Sequence, residues 1–143
     1  MHPLAEWFST PPGAALAALE HQAIAREARR FHGETMLWLG PDAVAASATE
    51  RCMVRARFYG ALGVDTADCR WLGESDLGDM GIFAAGVETL PFPNASVDGL
   101  IIHHGLELAR DPRLAIAEFN RVLKPGARMI ICGFKPWSLW TAT

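Results

Sequence analysis

The strongest constraint on the fold is a strand, helix, strand pattern over residues 97–134. Val97 to His103 is an almost unbroken apolar run. Asp111-Pro112 then supplies a helix start, because a carboxylate can accept the first free amide hydrogens and proline at the first helical position gives up no needed donor. Ala115, Phe119, Val122 and Leu123 recur at helical spacing and make one buried stripe, which Pro125-Gly126 should end. Ala127 to Phe134 (ARMIICGF) is a second apolar strand. A crossover of this length is too long for a hairpin, so the unit should be parallel and right-handed. It predicts an α/β fold, a Rossmann-like three-layer sandwich with a mainly parallel sheet.

The upstream sequence extends this pattern. Thr10-Pro11 repeats the cap-plus-proline signal, and a helix is expected from Pro12 to Phe31, with Leu16, Leu19, Ala23 and Phe31 on its apolar face, Glu20 pointing elsewhere and His32-Gly33 as its stop. Thr35 to Leu39 (TMLWL), closed by Gly40-Pro41, suits a strand buried on both faces. Residues 43–48 read as a short helix and Cys52 to Tyr59 as a half-exposed strand, since Met53, Arg55 and Arg57 alternate with Val54, Ala56 and Phe58. Val64 to Gly81 carries five carboxylates and reads as a solvated acidic connection. Ile82 to Val87 is the next strand. The organisation expected is one domain over 1–143, with a helical segment at 1–33 and the α/β core at 34–143.

Thirteen basic and sixteen acidic residues give a net charge of -3, and only two residues are lysine. Without a basic run there is no electrostatic footprint for nucleic acid. No apolar stretch approaches the ~18 residues that span a bilayer, and no signal-type N-terminus is present. These features predict a cytoplasmic protein. Cys52, Cys69 and Cys132 lack zinc-type spacing, so neither a disulfide framework nor a metal is expected, and Cys132 reads as a small buried thiol.

In open parallel sheets, ligands lie beyond the carboxyl ends of the strands, near the reversal of strand order. That rule selects Gly40-Pro41-Asp42, Gly86-Val87-Glu88 and His103-His104-Gly105. A histidine there could act as general base. Of two adjacent strand residues one normally faces a packing helix, so His104 is read as structural and His103 as the weak catalytic candidate.

The run LPFPNASVDGLIIHHGLELARDPRLAIAEFNRVLKPGARMIICGF resembles the second half of a class I S-adenosylmethionine-dependent methyltransferase core, the methyltransferase type 11-like kind that includes the ubiquinone/menaquinone-biosynthesis enzymes. WFSTPPG near the start and GFKPWSLW near the end resemble a bacterial subgroup of these proteins. The resemblance implies S-adenosyl-L-methionine as cofactor. It places Gly40, Asp42, Gly86, Val87, Glu88 and His103 at the cofactor, with Gly86 where the family has an acidic or amide residue. The first turn departs from the family: Trp38 stands in place of an acid, Gly40 keeps the first glycine, and Asp42 and Val44 replace the other two. Gly60 follows Tyr59, where the family has an acidic residue.

The resemblance therefore implies methyl transfer to a small molecule, with a catalytically inactive interaction module as the alternative. A nicotinamide enzyme lacks its G-x-G-x-x-G turn here. The family core continues into a helix and an antiparallel strand pair, so the sheet is expected to be incomplete. The edge formed by ARMIICGF should then favour self-association, with Ile130 and Ile131 buried and Trp137 and Trp140 forming an apolar tail.

Overall fold

The computed structural model describes residues 3–40, 48–49, 52–62, 70–74, 81–84 and 86–134. The order is α1 (Pro3–Phe8), α2 (Pro11–Ala28), β1 (His32–Gly40), β2 (Met53–Ala61), β3 (Arg70–Glu74), β4 (Gly81–Ala84), β5 (Val97–His103), a 3-10 turn at Leu106–Leu108, α3 (Pro112–Val122) and β6 (Leu123–Cys132). They build one six-stranded sheet in the order β3-β4-β2-β1-β5-β6. Five strands run parallel and β3 alone is antiparallel. With α2 on one face and α3 on the other, this is the expected Rossmann-like three-layer sandwich. No described helix is long and apolar enough to cross a membrane.

Alternation along the central strands divides the core. Leu37 and Leu39 of β1, with Leu100 and Ile102 of β5, pack in the same cluster as Ala115, Phe119 and Val122 of α3. Met36, Trp38 and Ile101 join Ile24 and Ala28 of α2 on the opposite face. Because β1 lies between β2 and β5, Met36 to Leu39 are fully buried, which is why TMLWL carries no polar face. Burial contributes about 1.5–3 kcal/mol per large apolar side chain, enough to override the weak propensities of the individual segments.

Both cap readings hold. Thr10 Oγ1 accepts from the Gly13 amide at 3.3 Å, and Asp111 Oδ1 accepts from the Arg113 amide at 3.0 Å. The LPFPN and RVLKPG segments meet at Arg121 of α3. Its guanidinium donates to the carbonyls of Phe92 (2.8 Å) and Leu90 (3.1 Å) and to Asn94 Oδ1 (2.9 Å), with Glu118 as its ion-pair partner.

Several boundaries differ from the sequence reading. Helix α1 was not anticipated, and α2 ends at Ala28 rather than at the His32-Gly33 stop, because β1 begins at His32. Gly33 is inside that strand at φ +124°, pressed against Asp98, whose carboxylate receives the Glu34 and Thr35 amides. The acidic stretch contains β3, paired with β4, so it is not wholly a loop. Strand β4 begins one residue earlier than expected, at Gly81, and ends at Ala84.

Helix α3 stops at Val122 and the chain passes directly into β6 at Leu123, with Pro125-Gly126 taken up in an irregularity. Pairing jumps there from Val97↔Leu123 to Gly99↔Arg128. β6 is the edge of the described sheet, and Ile131 is 45% exposed rather than buried, while Ile130 is half-buried. Most of the 43–48 helix, together with Asp42, Cys69, Trp137 and Trp140, lies outside the described residues.

Candidate functional site

The parallel strands end along one edge of the sheet. Gly40 pairs with Ala61, Ala61 with Ala84, and His103 with Cys132, while Leu39 and Ile102, one residue back, join the two halves. Strand order reverses between β1 and β5, so Gly40 and His103 flank the position where ligands of such sheets are held.

Gly40 is closely surrounded. A Cβ there would lie 3.0 Å from Trp38 Nε1, 3.1 Å from His103 O and 3.2 Å from His103 Cβ. Its carbonyl accepts from Tyr59 Oη at 2.9 Å and from the Leu62 amide at 3.0 Å. Trp38 Nε1 and His103 Nδ1 are buried without a hydrogen-bond partner among the described residues. Buried polar atoms of this kind are costly unless something satisfies them, so both suit the polar end of a bound molecule.

Gly86 is exposed, and a Cβ there would meet nothing within 4 Å. It forms a turn closed by the Thr89 amide on the Gly86 carbonyl at 3.3 Å. The open space leaves room for a ring without a clash, and together with the two unpartnered buried atoms near Gly40 the residues present fit a nucleoside cofactor. Val87 is different, because the whole residue is only 2% exposed and belongs to the core. Glu88 Oε1 accepts from the Arg110 and Asp111 amides at 2.6 and 3.1 Å, so its carboxylate fixes the segment that leads into α3.

The two histidines correct the expectation that they face opposite ways. His103 continues the alternation of Ile101 toward α2. His104 has φ +54°, a left-handed conformation that turns its side chain to the same side. Their Nε2 atoms lie 2.6 and 2.8 Å from the same oxygen, Oε2 of Glu20. Cys132 Sγ donates to that oxygen at 3.2 Å. Glu20 therefore faces the end of the sheet, and Cys132 is a half-buried polar partner rather than an inert core thiol.

Electrostatics follow from the burial. Burial works against a charged His104, but Cys132, Glu107 and Glu20 outweigh it and push its pKa up to about 11. Burial likewise works against the Glu20 carboxylate, yet His103, His104 and Cys132 hold its pKa well below the usual carboxylate range. The Cys132 thiol is pushed up by burial and by Glu20, with His104 opposing. Sequence reasoning missed Glu20, Cys132 and Glu107 because residues 20, 104 and 132 share no spacing; the paired histidines were the only local signal.

A family model described as a methyltransferase domain matches residues 44–131, more than half of the chain. The chain belongs to the class I S-adenosyl-L-methionine-dependent methyltransferase family. A demethylmenaquinone methyltransferase of Renibacterium salmoninarum is 30% identical over 117 residues, covering 71% of this chain and 49% of that protein. The ubiquinone/menaquinone biosynthesis C-methyltransferase UbiE of Teredinibacter turnerae is 40% identical over 58 residues, 41% of this chain and 23% of its own length. The chain thus spans half or less of these curated relatives.

Among solved structures, a Methanococcus maripaludis protein described as a candidate S-adenosyl-L-methionine-dependent methyltransferase has a TM-score of 0.65 at 17% identity, over 91% of this chain and 60% of that one. YcgJ of Bacillus subtilis has a TM-score of 0.62 at 19% identity, over 80% of this chain and 50% of its own. These likenesses place this methyltransferase-family chain in the same fold.

Proposed function

We propose that this chain forms the cofactor-binding core of a methyl transfer from S-adenosyl-L-methionine to a small organic acceptor. The observation that carries the reading is the family match over residues 44–131, on a sheet whose carboxyl edge bears Gly40, Gly86 and His103. The cofactor supplies an electrophilic methyl group on a sulfonium, so the protein has only to hold, orient and shield the reactants. Gly86 receives the ring end above the buried Val87, and the buried, unpartnered Trp38 Nε1 and His103 Nδ1 would be satisfied by polar groups brought close to Gly40. Asp42 is a further proposed contact. Glu88 acts indirectly, by holding residues 110–111. The relatives' names suggest a quinone precursor as the first acceptor to try.

A second reading, an inactive interaction module, is favoured by the side chains of Trp38 and His103 closing over Gly40. Calorimetric titration of the full chain with S-adenosyl-L-methionine and S-adenosyl-L-homocysteine separates the two. Saturable binding of both is expected. Absence of heat with either, in a folded sample, overturns the proposed activity and favours the module.

A further inference from the structure

We propose that Glu20, His103, His104 and Cys132 form a structural zinc site that fastens α2 to the carboxyl ends of β5 and β6. One ligand atom from each of the four residues lies within 4.8 Å of all the others. His103 and His104 are buried and Glu20 and Cys132 half-buried, so the group is withdrawn from solvent. His103 is shared with the proposed cofactor site, but metal uptake is read out without the cofactor, so the two proposals fail separately.

The donor set selects the metal. Two imidazoles, a thiolate and a carboxylate match the borderline-soft, tetrahedral preference of zinc, whereas magnesium and calcium require oxygen ligands. Tetrahedral zinc with bonds of about 2.0–2.3 Å sets its ligand atoms about 3.3–3.8 Å apart. The contacts to Glu20 Oε2 are 2.6, 2.8 and 3.2 Å and every other ligand pair lies within 4.8 Å, so entry of the ion requires the carboxylate to withdraw and the remaining ligands to adjust, each by about 1 Å. Uptake displaces the protons that now join these groups.

The surroundings are those of a metal-bound histidine. His104 Nδ1 lies 3.5 Å from Glu107 Oε2, and Glu107 is itself positioned by the Phe134 amide at 2.8 Å. No hydrogen bond is made to Nδ1 at that distance, but a small approach of the carboxylate would fix the tautomer that leaves Nε2 free to ligate. Rings of Phe8 and Phe134 pack on His104 with centroids at 5.0 and 4.4 Å and form an apolar shell. The left-handed backbone of His104 also acquires a purpose, since it turns two consecutive strand-end residues toward one point. Four protein ligands leave no position for substrate, which makes the role structural.

The competing reading is a hydrogen-bonded network that pins α2 without metal. The test strips the untagged full chain with chelator, reloads it with Zn(II) or Co(II), and measures bound metal, affinity by competition, melting temperature and the Co(II) spectrum. Expected are one equivalent per chain, a higher melting temperature and a thiolate-to-cobalt charge-transfer band. Cys132→Ser should abolish the band and weaken affinity at least tenfold, whereas Cys52→Ser should change neither. Glu107→Gln should weaken affinity by roughly tenfold. His104→Gln provides a second test should Cys132→Ser fail to fold by circular dichroism. No bound equivalent after reloading, or metal binding unaltered in the folded variant, overturns the proposal.

Discussion

His104 donates through Nε2 to Oε2 of Glu20 at 2.8 Å, joining residues 84 apart in the chain. Together with the parallel bond from His103, it attaches α2 to the carboxyl end of the sheet. The side chains of His104 and Glu20 are 1% and 13% exposed, so neither is rescued by water if the other is lost.

Glu20→Ala should therefore destabilise the metal-free protein by about 3 kcal/mol, the cost of leaving a buried charge without its partner. Glu20→Gln keeps an acceptor and should cost less. Chemical denaturation in the presence of chelator measures both. A loss below about 1 kcal/mol for the alanine variant would place the pair among weak surface contacts.

The opposite end of the sheet supplies a pH dependence. Burial works against the Asp98 carboxylate, but the Thr35 amide, Lys124 and the Glu34 amide outweigh it and lower its pKa from the ordinary 3.8. A carboxyl whose folded pKa is depressed stabilises the fold above its unfolded value, and that stability is lost as pH falls through the folded value. Melting temperature should thus fall on acidification below about pH 4. Asp98→Asn should flatten this limb and cost about 1.5 kcal/mol at neutral pH through its weakened bonds to two amides and Lys124. Melting curves of both proteins from neutral pH downward check this, and coincident acid limbs would refute it.

Strand exposure gives a prediction opposite to that drawn from apolar runs. Ile131 on the edge strand is 45% exposed, whereas Ile101 on β5 is fully buried. Ile131→Lys should leave the melting temperature within a few degrees, while Ile101→Lys should abolish cooperative unfolding, since an unpaired internal charge costs several kcal/mol. Equal effects would show that β6 is covered in solution.

What the sequence made legible was local. The bounds of β5 agree to the residue, and the Thr10 and Asp111 caps are as expected, because each depends on neighbours within four positions. β3 was hidden because its five residues sit in a stretch dominated by carboxylates, and its pairing with β4 is tertiary. The Pro125-Gly126 signal marked an interruption correctly but assigned it to the helix rather than to the strand. Of the proposed site, the strand-end rule selects Gly40, Gly86 and His103, and these do lie at or just beyond the carboxyl ends of β1, β4 and β5. Glu20 and Cys132 are not selected, since a left-handed φ at His104 and a crossing of α2 over the sheet leave no trace in spacing.

Gly86 offers the cleanest test of the cofactor site. The family resemblance assigns it the polar position, and it is exposed, lacks a positive φ, and has nothing within 4 Å of a would-be Cβ, so a side chain can be added without strain. Gly40 lacks that freedom, because a side chain there would strike Trp38 and His103 and disturb folding as much as binding. Gly86→Asp should leave the melting temperature unchanged and supply an acceptor of the family type. A hydrogen bond involving a charged group contributes roughly 1.5–3 kcal/mol, which corresponds to about ten- to a hundredfold tighter S-adenosyl-L-homocysteine binding. Gly86→Ala serves as the control, adding volume without an acceptor, and should change affinity little. If the aspartate and alanine variants bind alike, the adenosine end of the ligand does not lie at the β4 turn.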